Sequence, residues 1–149
     1  MSLISHVGTG PLLEKARGGT TRCSDTQEEF IAKITKGLLP AQREFVLDTE
    51  HLILGFCAGF GAGKTRALTI KALYMAALNP DTVAAVFEPT SILLRDVWMR
   101  SFDDALEEFD IEHEFRVSPQ PEYKIYTPLG SCVLLCRATE TYTVFVVRT

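Results

Sequence analysis

The sequence predicts an α/β fold: a parallel sheet flanked by helices, with a β-hairpin added to it. The apolar stretch 52–58 is expected to be a strand, 83–87 is a short, wholly apolar run of the kind a buried parallel strand shows, and longer helix-forming stretches at 65–78 and 92–109 follow them. The glycines Gly59, Gly61 and Gly63 stand where the first run gives way to the first long helix. Segments 123–127 and 132–136 have the character of two strands joined through Pro128-Leu129-Gly130-Ser131, a hairpin signal. The order strand, helix, strand, helix, hairpin implies βαβ connections with an antiparallel pair at an edge or inserted.

Each element has a local reason. Residues 1–25 mix Gly8, Gly10, Pro11, Gly18 and Gly19 without periodicity, so they are expected to form a flexible N-terminal arm, with 26–149 as the folded body. Ser24 or Asp25 is the expected N-cap of a short helix with Glu28 and Glu29 in its first turn, and Gly37 stops it. Pro40 suits the first position of a second helix running toward Asp48. The helix at 65–78 ends at Asn79-Pro80, because a proline disfavours helical backbone in the residue before it. In 92–109, Leu93, Val97, Phe102, Ala105, Leu106 and Phe109 recur with helical spacing, leaving Asp103, Asp104, Glu107 and Glu108 for a solvated face.

Composition bounds the function. With 149 residues, 46% of them hydrophobic and 23% charged, the chain has the makings of one globular domain. A net charge of -4 excludes a basic coat for DNA and confines any nucleic-acid contact to a local patch. Lys71 interrupts the longest apolar stretch, so no membrane-spanning helix is expected. Residues 1–7 are too short and polar for a signal peptide, which leads to an expected cytoplasmic location. The cysteines Cys23, Cys57, Cys132 and Cys136 form no C-x-x-C pair, and His6, His51 and His113 are scattered, so reduced core thiols are expected rather than zinc. Cys132 and Cys136 fall on one face of a strand.

Gly59-Phe60-Gly61-Ala62-Gly63-Lys64-Thr65 has the makings of a phosphate-binding P-loop. Glycines allow successive backbone N–H groups to turn inward on an anion. Lys64 is the catalytic candidate, reaching the β- and γ-phosphates of ATP, and the Thr65 hydroxyl is the candidate ligand for Mg2+. The following helix turns its positive end toward the same anion. The full pattern G-x-x-x-x-G-K-S/T begins with glycine, where this chain has Ala58. Arg66 completes the candidate nucleotide-binding set, although it already belongs to the helix.

Gln42, preceded by Pro40, lies one short helix and one strand upstream of Lys64, and the second strand leads into Glu88-Pro89-Thr90 and then Leu94-Arg95-Asp96. The hairpin ends in Cys136-Arg137. In this order the chain, over about 39–139, resembles the N-terminal ATPase domain of the large terminase subunit of tailed bacteriophages. The resemblance implies a RecA-like P-loop NTPase core of the ASCE type and an ATPase that drives double-stranded DNA into a capsid. It implies as partners DNA, the small terminase subunit and the portal of the procapsid, with ring assembly in the full-length motor and no membrane. Gln42 takes the adenine-reading position; Gly59, Gly61, Gly63, Lys64 and Thr65 match the P-loop, and Phe60 stands where many terminases have a basic residue. The host-cell cytoplasm would be its location.

The resemblance also implies an acidic Walker B strand, which 144–149 does not supply with carboxylates, and a nuclease domain. Glu88 ends an apolar strand but comes one strand too early in that order. The expectation is therefore an incomplete domain, truncated or interrupted before the Walker B strand, that binds ATP and hydrolyses it slowly if at all. The alternatives are another P-loop ATPase of helicase type, a small kinase, or a non-catalytic nucleotide-binding remnant.

Overall fold

A computed structural model describes residues 24–117 and 119–139. Most of the expected arm, Cys23 and the apolar run at 144–147 lie outside the described residues.

The first helix, α1 (Gln27–Ile34), starts at Thr26 rather than at Ser24 or Asp25. Thr26 and Glu29 form a reciprocal capping box: the Glu29 N–H donates to the Thr26 hydroxyl, and the Thr26 N–H donates to the Glu29 carboxylate at 2.8 Å. Helix α2 (Pro40–Leu47) has its proline at the first turn, as expected. Helix α3 (Lys64–Leu78) buries Ala67, Ile70, Leu73, Ala76 and Ala77, and both α1 and α2 pack on it. Lys71 of α3 donates to the carbonyls of Val46, at 3.0 Å, and Asp48, so it closes the C-terminal end of α2.

Strand β1 (Val83–Glu88) leads into a long helix, α4, made of a first turn (Ser91–Leu93), a π-helical segment (Leu94–Met99) and an α-helical remainder (Arg100–Glu108). The expected uniform α-helix is thus interrupted near its start. Thr90 caps it by accepting from the Leu93 N–H at 3.1 Å. Asp110 ends it in a left-handed conformation, φ 48°, so a carboxylate residue fills the position that glycine commonly takes.

Three strands follow: β2 (His113–Arg116), absent from the sequence expectation, β3 (Glu122–Thr127) and β4 (Gly130–Ala138). The sheet order is β1-β4-β3-β2, with β1 parallel to β4 and the remaining pairs antiparallel. The sheet is therefore mixed, and the hairpin forms its middle.

Alternation along β4 buries Cys132, Leu134 and Cys136 on one face, where Cys132 and Leu134 pair in register with Ile125 and Tyr123 of β3. The helices pack on that face. Trp98 stacks on Phe102 at 4.7 Å, and Phe102 meets the Tyr123 ring edge-on at 5.0 Å, which joins α4 to the sheet through aromatic contacts.

One expectation fails. Residues 52–58 form no strand: Leu52 is 99% and Ile53 91% exposed, and only Phe56 makes a ring contact, with Phe45 at 5.1 Å. An apolar run becomes a strand only where another strand satisfies its N–H and C=O groups, and among the described residues none lies beside this one.

Candidate functional site

The glycine-rich turn stands at the head of α3. Gly61 and Gly63 hold φ of 76° and 73°, conformations that L side chains rarely adopt, and the Ala62 N–H donates across the turn to Gly59 O at 3.4 Å. Gly63 is the N-cap of α3 and brings no side-chain acceptor to it. The first-turn N–H groups at Lys64, Thr65 and Arg66 therefore face outward from the positive end of a 15-residue helix. That combination is an anion-binding geometry.

Lys64 folds over the turn, its ammonium donating to Ala58 O at 2.9 Å and Gly59 O at 2.7 Å. Ala58 thus takes part through its carbonyl, which any residue would provide, and the departure from glycine at that position leaves this contact intact. Thr65 is half-buried beside Lys64, and the Phe60 ring projects from the turn into solvent.

Gln42, twenty residues before the turn, is brought to it. Its side chain is 7% exposed; Oε1 accepts from Leu39 N–H at 3.0 Å, and Nε2 donates to Ala62 O at 3.0 Å. The approach is close enough that a Cβ on Gly63 would lie 2.6 Å from Nε2. The absence of a side chain at Gly63 thus serves both its φ and its contact with Gln42.

Arg66 turns toward α4. Its guanidinium makes a bidentate pair with the Glu108 carboxylate, at 2.7 and 2.9 Å, and lies over the Phe109 ring at 5.6 Å. This pair, unread in the sequence, gives Arg66 a role in tying the start of α3 to the end of α4, and it holds the Glu108 carboxyl below its ordinary pKa. The supposed solvated face of α4 is likewise partly engaged, since Asp103 accepts from the Tyr123 hydroxyl at 2.7 Å. Burial and that bond push the Tyr123 pKa up.

Glu88 closes β1, and partial burial raises its carboxyl pKa. Among the described residues no three His, Cys, Asp or Glu side chains group as a metal site. Thr65 supplies a hydroxyl oxygen in the first turn of α3, a donor of the type that a magnesium ion takes. Cys132 and Cys136 are buried core thiols as expected, Cys136 pushed up to about 12 by burial, whereas Cys57 is exposed and departs from the buried-thiol expectation. No helix among the described residues is long and apolar enough to cross a membrane. Compared with models of protein families, with curated proteins and with solved structures, the chain matches none.

Proposed function

We propose that residues 59–65 bind the phosphates of ATP with Mg2+, and that the chain is the ATP-binding portion of a large terminase subunit. The observation that carries the first step is the uncapped start of α3 behind two left-handed glycines, with the Lys64 ammonium at the same turn. In this reading the first-turn N–H groups cradle the β-phosphate, Lys64 exchanges its two carbonyl acceptors for β- and γ-phosphate oxygens, and Thr65 ligates the metal. Mg2+ would neutralise charge developing on the transferred phosphoryl group.

Gln42 supports the turn through Ala62 O, and reading adenine would require its amide to rearrange or to use its second N–H. The terminase assignment rests on the order of Gln42, the glycine turn, the strand ending at Glu88 and the hairpin along the chain. It makes double-stranded DNA, the small subunit and the portal the proposed partners, in the cytoplasm of an infected cell.

The test is calorimetric titration of the chain with ATP and Mg2+. Saturable binding is expected, weakened about tenfold to a hundredfold in Lys64→Ala, the range for loss of a charge-assisted hydrogen bond. Turnover that rises with double-stranded DNA would support the motor, and binding without turnover would mark a non-catalytic module. Binding that Lys64→Ala leaves unchanged would overturn the site.

A further inference from the structure

A second concavity, independent of the phosphate turn, opens between the π-helical segment of α4 and the C-terminal end of β4. Its volume is about 490 Å³, within the size range of small-molecule sites, and Leu94, Met99, Phe115, Pro121 and Cys136 supply apolar wall. Leu94, Met99 and Cys136 are buried residues that belong at once to the core and to this wall, so the floor is held by the fold. Arg95 and Arg137 also line it, and no aspartate or glutamate does among the described residues. Asp96, which accepts from Arg95 Nε at 2.9 Å, lies outside the lining.

Its position has a topological rationale. In open α/β sheets ligands settle in crevices outside the carboxyl ends of parallel strands, and Cys136, Arg137 and Ala138 are the last residues of the strand that pairs parallel with β1. A π-helical segment inside an α-helix is a feature that recurs at functional sites, and here it contributes Leu94, Arg95 and Met99 to the wall. Arg137 donates to Pro121 O at 3.1 Å and Cys136 O at 2.9 Å, which holds its guanidinium beside Pro121, itself part of the groove wall, before a ligand arrives.

We propose that this groove binds a small amphipathic carboxylate, its apolar body against Leu94, Met99 and Phe115 and its carboxylate toward Arg95 and Arg137. Apolar walls alone take any greasy molecule; two guanidiniums without an acid in the lining favour an anionic head, and a planar guanidinium matches a carboxylate.

Decanoate is the probe and decanol its uncharged counterpart. Calorimetry gives affinity, and Trp98, the single tryptophan of the chain, buried outside the groove wall but in the same π-helical segment as Leu94, Arg95 and Met99, gives a second, indirect readout by fluorescence. Saturable decanoate binding is expected, at least about tenfold tighter than that of decanol, the difference between a charged and an absent head-group bond. Arg95→Ala together with Arg137→Gln should abolish the preference and leave decanol binding in place, and Ala138→Phe, which fills the groove, should weaken both. Addition of ATP and Mg2+ should leave the decanoate isotherm unchanged, which separates this site from the phosphate turn. Absence of saturable decanoate binding, equal affinity for the two probes, or an unchanged preference in the arginine variant would each overturn the proposal.

Discussion

At the scale of single residues, Gly63 bears two constraints at once: a left-handed φ of 73° and a Gln42 amide nitrogen where a side chain would go. Gly63→Ala should therefore lose about 1–2 kcal/mol from backbone strain alone, with a further loss as Gln42 is pushed from Ala62. Urea unfolding would measure it; a stability within about 0.5 kcal/mol of wild type, the spread of neutral surface changes, would refute the constraint. Gln42→Ala should lose about 1–2 kcal/mol by leaving the Leu39 N–H and the Ala62 carbonyl without that partner. The turn at the head of α3 was legible because glycines at 61 and 63 suit the left-handed backbone that it adopts. The brace from Gln42 was not, since a contact across twenty residues depends on how α2 packs against α3 and no local pattern encodes it. Arg66 shows the same limit, as its position beside Lys64 fits a phosphate ligand equally well until Glu108 arrives opposite it.

Among elements, what the sequence made visible were the pieces held by their own periodicity and caps. Helices α1, α2 and α3 and strands β1, β3 and β4 lie where apolar spacing and turn residues put them. Strand β2 escaped because it is four residues long and reads His-Glu-Phe-Arg, a pattern too brief to show alternation; pairing with β3 makes it a strand. The run at 52–58 erred the other way, apolar enough for a strand yet without a neighbour. The tie between α3 and α4 gives a test with a pH sign. Arg66 holds the Glu108 carboxyl below its usual pKa, so the pair stabilises fully above the unfolded glutamate value of about 4.3 and fades as pH falls through the lower folded value. Both side chains are roughly half exposed, at 41% and 49%, so solvent screening limits the effect. Glu108→Gln should lower stability by less than about 1 kcal/mol at neutral pH, and its gap from wild type in urea midpoint should close on acidification. A gap that widens as pH falls would show that the ion pair is not its cause.

For the whole molecule, the decisive asymmetry is that the helices occupy one face of the sheet. On the other face the register sets Val83 and Ala85 of β1 beside Val133 and Leu135 of β4, with Phe87 next along β1, while Glu114, Arg116, Glu122 and Lys124 occupy the β2 and β3 side. The charged half is suited to water; the apolar half is not, with Val83 66% and Phe87 64% exposed. Strand β1 also carries the outer edge of a parallel pair, an arrangement that α/β folds normally bury on both faces, and its outer N–H and C=O groups pair with no strand among the described residues. An apolar surface continuous with an unpaired strand edge favours contact between copies. Light scattering should therefore show a mass that rises with concentration for the chain on its own. Phe87→Lys places a charge on the patch and should shift the chain toward a single-copy mass at the same concentration, without loss of helical signal in circular dichroism, because Phe87 is exposed and lies on the face away from the core. If wild type remains a monomer throughout, or if Phe87→Lys associates equally, the open face is not the adhesive surface and the edge of β1 is protected in some other way.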